Sequence, residues 1–551
     1  MPLRVIPLGG LDEIGKNITV YEYENDIVIV DCGMSFPDED MPGVDIVIPD
    51  VSYLVKHKEK IRGLLLTHGH EDHIGAIPYL LKEINVPLYG TGLTLGLVEG
   101  KLKEHRLAAS AKLNVIKPGD MVTLGCFKAE FIHVNHSIPD AVSIALHTPV
   151  GLVLQTGDFK VDTTPIDDDV IDLARFTKLG RDGVLLLLSD STNADRPGFT
   201  MSERKVGESF SALFKNAGKN RILIATFSSN IHRVQQIVDE AVRTGRKVAV
   251  SGRSMINTVQ ISRDLNYLHV PDGVLIDIDM IKRLPPEQLV IITTGSQGEP
   301  MSALYRMAFS DHRKVEIIPG DMVIISATPI PGNEKTVSRV INELMKLGAN
   351  VVYENMYDIH VSGHACQEEQ KLMMAMTKPK FFMPVHGEQR HLRKHAVLAR
   401  QMGILPDNIL MGENGRVLEL TRHSAKLNGT VQAGRVLVDG LGVGDVGSVV
   451  LRDRKLLAED GLIVAAAGVD TYSAELVAGV QIISRGFVYM KESEQLISEA
   501  EETARRALLD ALTQSPKDLN AMRLRVKEAL SRFIYERTKR SPMILPIVME
   551  I

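Results

Sequence analysis

THGHEDHIGAIPYLL, residues 67 to 81, puts three histidines and two acids within six consecutive positions. The apolar run IRGLLL before it has the pattern of a strand, and IGAIPYLLKE after it the pattern of a helix. His68 then stands at a strand end. His70, two residues on along an extended backbone, projects its imidazole to the same side. Asp72 and His73 fall at the mouth of the helix. Such a loop can give two ligands to one cation and two to a neighbouring one. Imidazole and carboxylate suit Zn²⁺, with Mn²⁺ or Fe as alternatives. The density of His-x-His-x-Asp-His argues against a mere polar turn. Glu71 has no ligand role left and suits a helix N-terminal or solvent-facing position.

Four ligands do not complete a site for two cations. DIVIVDCG (26–33), FKAEFIHVNH (127–136), VGLVLQTGD (150–158) and GVLLLLSD (183–190) are further strand-like runs, each reaching a polar residue near its end. Asp158 follows a glycine at the end of one, a suitable bridging carboxylate. His136 ends another, and His386 in FFMPVHGEQR a third. His133 competes with His136, but alternation sends it to another face.

The 551 residues exceed one ordinary core, so two or three domains are expected. Apolar residues make up 44% and charged residues 24%, the balance of a soluble globular chain. No apolar run is long enough to cross a membrane, and MPLRVIPLGGLDEIG lacks a charged leader followed by an apolar core, so no signal peptide is expected. The three scattered cysteines, Cys32, Cys126 and Cys366, suggest reduced thiols and a cytoplasmic location. A net charge of −6 disfavours nucleic-acid binding through bulk charge and calls for a narrow basic channel instead.

From about Ser202 the pattern changes. RILIATF, KVAVSG, LVIITTG and DMVIISA alternate with helical stretches at 231–244 and 334–347, as in a parallel, doubly wound α/β unit. The strand-then-histidine style returns at VYENMYDIHVSGHA and KPKFFMPVHGEQR, so the α/β unit reads as an insertion. The expected organisation is a first domain over 1–201 and 356–422, the insertion over 202–355, a linker with edge strands over 423–455, and a small α/β domain over 456–551. In the last, strands at 462–468 and 476–483 precede two long helices near 493–513 and 517–538, and the chain ends in the apolar MILPIVMEI.

His68, His70, Asp72, His73, His136, Asp158 and His386 together resemble the ligand set of the metallo-β-lactamase superfamily. Asp31, ending IVIVDCG, matches that family's early strand-end Asp, which orients ligands from behind. The resemblance implies an αββα sandwich with two metals at one edge: His68, His70 and His136 on one, Asp72, His73 and His386 on the other, Asp158 bridging. The superfamily cleaves many bonds, so fold alone does not choose among them. More than two hundred residues separate Asp158 from His386. The inserted unit resembles the β-CASP domain of nucleic-acid-processing members, whose extra motifs match Asp190 in LLSDSTNAD, His364 in HVSGHA and His386 in PVHGE. With GGLDEIGKN, TTGSQGEP and MPVHGEQRHL, nearly the whole chain resembles the bacterial ribonuclease J family.

That resemblance implies two Zn²⁺, or Mn²⁺, activating water for attack on an RNA phosphodiester, leaving a 5′-phosphate and a 3′-hydroxyl. It implies 5′-to-3′ exonuclease and endonuclease activity in mRNA decay and rRNA maturation. Partners would be single-stranded 5′-monophosphorylated RNA, a homodimer or homotetramer, and other RNA-decay proteins. A DNA-directed nuclease of the same fold and an RNA-binding scaffold subunit are the rival readings. His364 is the candidate for stabilising the phosphate or protonating the leaving oxygen, with Asp190 holding its ring and Asp72 at the reacting centre. A purely structural hydrogen bond is the plain alternative for His364. His360, Val361, Ser362, Gly363 and His364 form one candidate phosphate cradle. Ser228, Ser229, Asn230 and Arg233 form a second, for which an ordinary helix cap is equally reasonable. TTGSQGEP (293–300) lacks the ending of a P-loop and reads as a turn or an RNA-contacting loop. Arg390, Arg393 and Lys394 offer an RNA path or a solvated helix face. The family also suggests a structural Ca²⁺ at Gly43, Asp45 and Asp439, against plain turn carboxylates.

Overall fold

The computed structural model describes residues 1–38, 40–299, 301–330, 333–354, 356–488 and 494–551. Pro300, which closes TTGSQGEP, and residue 493, the expected start of a long helix, lie outside them. The chain divides into two compact units, residues 1–35 with 48–435, and residues 36–47 with 436–551.

The first unit contains two sheets packed face to face. One has eight strands, with Leu3–Gly9, Ile18–Tyr23, Asp26–Val30 and Ile61–Leu65 side by side near its middle. The other has six, in the order Phe381–Val385, Val184–Asp190, Gly151–Gln155, Val142–Thr148, Phe127–His133, Met121–Leu124. Period-2 alternation decides which side chains fill the space between them. Val28, Val30 and Leu65 face Phe127, Phe131, Ile144, Val153, Leu186 and Met383 in one buried cluster. The alternate residues Ile132, Leu154, Leu187 and Phe382 point outward. There Phe176 and Leu179 of helix Leu173–Asp182, and Met373 and Met374 of helix Gln367–Thr377, cover them. This is an αββα sandwich.

Between Asp190 and His386 the chain builds a third sheet, six strands ordered Leu275–Ile276, Lys247–Ser251, Leu289–Thr293, Ile222–Ala225, Met322–Ile325, Asn350–Val352. All its pairings are parallel. Helices Arg204–Ala217 and Ile231–Arg243 fill one face through Phe210, Phe214, Val234 and Ile237. Leu304, Met307, Val340 and Leu344 fill the other. The strands are apolar on both sides because both faces are buried.

In the second unit, strands Leu462–Asp470, Glu475–Arg485 and Met543–Glu550 form a sheet. Helices Glu494–Gln514 and Leu519–Thr538 bury Ala504, Leu508, Met522, Val526 and Leu530 against it. The apolar tail is thus a strand, parallel to Leu462–Asp470. The stretch expected as linker holds strands Ala425–Thr430 and Arg435–Asp439 and a helix, Ser448–Glu459. No described helix is long and apolar enough to cross a membrane.

Candidate metal centre

The carboxyl ends of several strands meet at one edge of the sandwich. Asp31 follows Asp26–Val30, His68 follows Ile61–Leu65, His136 follows Phe127–His133, Asp158 follows Gly151–Gln155, Asp190 ends Val184–Asp190, and His386 follows Phe381–Val385. Gly157 has φ +59°, and a Cβ there would press on Thr67 at about 3 Å, so the turn that presents Asp158 requires glycine. Asp31 (φ 60°) and His386 (φ 54°) hold left-handed conformations without that freedom. Such strain persists only where surroundings fix it. His386 is fixed by its N–H on Gly10 O at 2.9 Å, and Asp31 by its N–H on Leu65 O at 2.8 Å.

The other six expected ligands converge around Asp158. His68, His70, His136 and Asp158 present donor atoms within 4.8 Å of one another, as do Asp72, His73, Asp158 and His386. His68 Nε2 lies 3.1 Å from His70 Nδ1, which lies 3.0 Å from His136 Nε2. Asp158 Oδ2 is 3.6 Å from His68 Nε2, 3.7 Å from His136 Nε2 and 3.3 Å from His73 Nε2. His386 Nε2 is 3.1 Å from Asp72 Oδ2. A third group, Asp158, Asp190, His364 and His386, shares the same carboxylate. His364 Nδ1 lies 2.8 Å from Asp190 Oδ2. Most of these side chains are buried, whereas His70, Asp72 and His364 are half-buried and line the open side.

The rings are oriented from behind. Thr67 donates to Asp31 through its N–H (2.8 Å) and its hydroxyl (2.9 Å). Its Oγ1 therefore accepts from His68 Nδ1 at 3.0 Å. Asp31 Oδ2 also takes the proton of His73 Nδ1 at 2.8 Å. His136 Nδ1 donates to Gly363 O at 2.7 Å. Thr192 donates its hydroxyl to Asp190 Oδ1 at 2.7 Å and so accepts from His386 Nδ1 at 2.9 Å. His68, His73, His136 and His386 thus turn Nε2 toward the cluster, the arrangement metal-ligating histidines show. Asn17 Nδ2 donates to Asp72 O at 3.1 Å. Thr67, Thr192 and Asn17 carry no spacing that marks them in the sequence.

The electrostatics fit a cation. Burial pulls the pKa of His68, His70 and His136 down, that of His70 to about 4, leaving neutral nitrogen donors. For His73, His364 and His386 burial acts in the same sense but loses to the carboxylates. Asp158, Asp72 and Asp31 raise His73, Asp190 and Asp158 raise His364, and Asp158, Asp190 and Asp72 raise His386 to about 10. Against burial, the same rings pull Asp72, Asp158 and Asp190 below the usual carboxylate range. Protons on imidazoles thus supply the countercharge that divalent cations supply when they displace them. The donor set of imidazoles and carboxylates suits Zn²⁺ or Mn²⁺.

The remaining expected residues divide. The His360–His364 loop reaches the cluster: a Cβ on Gly363 would meet the His136 ring at 2.7 Å, so only glycine lets it approach. Asn193 Nδ2 donates to Ser362 Oγ (2.8 Å) and to His364 O (2.9 Å). In the 226–233 stretch, Arg233 and Asn230 find their partners within the protein. Arg233 is fully buried, with its guanidinium on Glu203 (2.8 and 3.0 Å), Ser326 O (2.8 Å) and His360 Nδ1 (3.1 Å). Asn230 caps helix Ile231–Arg243 by accepting from Arg233 N at 3.1 Å. Ser228 and Ser229 remain half-buried in the turn. Glu71 opens the helix Glu71–Ile74 and pairs with Lys101. His133 faces away, its Nε2 3.1 Å from Asp169 O. In TTGSQGEP, Gln297 ties the turn to Thr328 O and Ile330 N. On helix Gln389–Gln401, Arg390 pairs with Glu388 and Asp195, while Arg393 and Lys394 are exposed. At the expected calcium position, Arg454 donates to Asp439 Oδ2 and to Pro42 O, and Asp45 Oδ2 accepts from Gly440 N. A guanidinium is the cation beside Asp439. A groove of about 780 Å³ on the inserted sheet's helices contains none of the cluster residues.

Residues 11–196 match the metallo-beta-lactamase superfamily and 219–344 the ribonuclease J beta-CASP domain. Residues 348–409 match the Zn-dependent metallo-hydrolase RNA specificity domain, and 449–551 the ribonuclease J C-terminal domain. Ribonuclease J 1 of Streptococcus pyogenes is 46% identical over 99% of this chain and 97% of its own. Ribonuclease J of Thermus thermophilus is 46% identical over 100% of this chain and 95% of its own. A crystal structure of a protein of unknown function from Enterococcus faecalis superposes with a TM-score of 0.55 at 14% identity, covering 76% of this chain and 100% of that one. That last likeness concerns fold alone.

Proposed function

Because the chain belongs to the ribonuclease J family, we propose that it is a metal-dependent ribonuclease whose catalytic centre is the cluster around Asp158. The observation that carries this is the convergence of six donor side chains on one shared carboxylate, Asp158, beside the His364–Asp190 pair. His68, His70 and His136 would hold one cation and Asp72, His73 and His386 the other, with Asp158 common to both. Zn²⁺ fits these donors, and Mn²⁺ is the alternative. Bound there, the cations would supply Lewis acidity and would lower the pKa of a water toward neutrality.

The protein's own groups do the rest. The buried Asp31–Thr67 pair keeps the ligand rings in one tautomer. The open side lined by His70, Asp72 and His364 admits the phosphodiester. His364, kept charged by Asp190, hands its proton to the leaving 3′-oxygen, so the products are a 5′-phosphate and a 3′-hydroxyl. The loop His360–His364 receives the 5′-monophosphate of single-stranded RNA, which gives 5′-to-3′ exonuclease action. Cleavage within a chain that threads past the same centre gives endonuclease action. The setting is mRNA decay and rRNA maturation in the cytoplasm, as a homodimer or homotetramer with other decay proteins.

The test compares RNAs of one sequence carrying a 5′-monophosphate, 5′-triphosphate or 5′-hydroxyl, and the matching DNA, in excess Mn²⁺ or Zn²⁺. Release of nucleotides from the 5′ end, fastest for monophosphate RNA, is expected. Preferential loss of the DNA would overturn the substrate assignment, and equal decay of the three RNA ends would overturn the 5′-phosphate assignment.

A further inference from the structure

Two side chains of the His360–His364 loop are held by partners that dictate where their hydrogens lie. Ser362 Oγ is 2.8 Å from Asn193 Nδ2 and 3.2 Å from the backbone N of His364. An amide can present either end, so the direction of the first contact needs a second observation. Asn193 Nδ2 is also 2.9 Å from His364 O, a carbonyl that can only accept. The atom between them is therefore the NH₂ end. Ser362 Oγ accepts twice, from Asn193 and from the His364 N–H, and its own hydrogen must point to an acceptor elsewhere. His360 follows the same logic. Its Nδ1 faces Arg233 Nη1 at 3.1 Å, and a guanidinium can only donate. The ring accepts at Nδ1 and carries its hydrogen on Nε2. Neither partner has room to turn, since Asn193 is buried and Arg233 is closed in by Glu203 and Ser326 O.

Side chains that can only donate suit a terminal group that can only accept. A phosphate monoester near neutral pH offers three acceptor oxygens. A 5′-hydroxyl brings a hydrogen of its own, for which Ser362 and His360 have no lone pair left. We propose that Asn193, acting through Ser362, is a positioning residue that sets this loop to select a 5′-phosphate over a 5′-hydroxyl end, beside a His360 whose ring hydrogen Arg233 directs to Nε2. The inference rests on the loop being the pocket for the RNA 5′ end. Asn193 also belongs to the turn whose Asp190 holds His364 and whose Thr192 holds His386. One tetrapeptide therefore ties the end-binding loop to the metal cluster.

Binding without turnover reads the effect apart from catalysis. A labelled 2′-O-methyl oligoribonucleotide with either a 5′-phosphate or a 5′-hydroxyl is titrated with protein in excess chelator, followed by fluorescence anisotropy. The quantity is the ratio of the two dissociation constants, which a general loss of RNA affinity or of folded protein does not move. The variants are Asn193→Ala, Ser362→Ala, the double substitution, and Asn193→Asp, which keeps the shape but offers Ser362 only acceptors. The wild type is expected to favour the phosphate, and each alanine variant to lower that preference by about tenfold. The double variant should fall no further than Ser362→Ala, because the two act through one hydroxyl. Asn193→Asp should fall at least as far as Asn193→Ala. A wild-type ratio near unity overturns the pocket itself, and the proposal with it. A wild-type preference that Ser362→Ala abolishes, but both Asn193 variants leave within about twofold, overturns the positioning role alone. Multiplying effects in the double variant do the same.

Discussion

The turn from Ile61–Leu65 into the helix Glu71–Ile74 and the turn from Ile222–Ala225 into the helix Ile231–Arg243 begin alike. Each leaves the carboxyl end of a strand paired in parallel on both sides, and each carries a dense run of polar residues. They end differently. In the first, the hydrogens on Nδ1 of His68 and His73 are tied behind the rings to Thr67 and Asp31, and the Nε2 atoms face Asp158. In the second, Asn230 turns back on its own helix and Arg233 buries its whole fork against Glu203, Ser326 and His360. Polar residues at a strand end make a site when their partners stand behind them and leave the front free. When the partners occupy the front, the same composition is scaffold.

The largest effect is expected at the first turn. His68→Ala combined with His70→Ala removes two nitrogen donors from one half of the cluster. RNA cleavage should fall on the order of 10⁴-fold in single-turnover assays, with the urea unfolding midpoint nearly kept. A double variant that cleaves at the wild-type rate would place catalysis elsewhere.

At the second turn the large effect should be on stability. Arg233→Ala leaves Glu203 buried without its partner, and unfolding free energy in urea should drop by roughly 3–5 kcal/mol. A drop under about 1 kcal/mol, the value of an exposed pair, would mean that Arg233 reaches solvent after all.

Asp31→Ala returns to the first turn but acts from behind it. With Thr67 and His73 released, Zn²⁺ affinity measured by competition with a chromophoric chelator should weaken roughly 10–100-fold. Unchanged affinity would show that the rings need no such support. The smallest effect is expected for Asn230→Ala, a lost cap of about 1 kcal/mol read as a shift of the urea midpoint. A larger loss in 5′-phosphate binding than in stability would restore Asn230 to the phosphate cradle.

The strand ends were legible because their chemistry is local. A buried strand has period 2, and a lone Asp or His just past it stands out, as Asp31, His136, Asp158 and His386 do. The clustering of His68, His70, Asp72 and His73 was legible because they are neighbours in sequence. What stayed hidden depends on neighbours distant in sequence. Thr67 and Asn193 are ordinary residues until Asp31 and the Ser362–His364 loop lie against them. The 226–233 stretch left cradle and cap equally open, since Glu203 cannot be matched to Arg233 by spacing. Arg454 beside Asp439 was invisible for the same reason. MILPIVMEI shows its apolar character, but only the fold reveals Leu462–Asp470 as its parallel partner.

The central claim is that the first turn supplies half of a two-cation centre that cleaves RNA. It is tested most directly by stripping the protein with a chelator and titrating Zn²⁺ or Mn²⁺ back. Bound metal per chain is measured by elemental analysis alongside cleavage of 5′-monophosphorylated RNA. Cleavage should vanish in the stripped protein and return as occupancy approaches two ions per chain, as a dinuclear site requires. Cleavage that persists without metal, or that saturates at one ion, would contradict it.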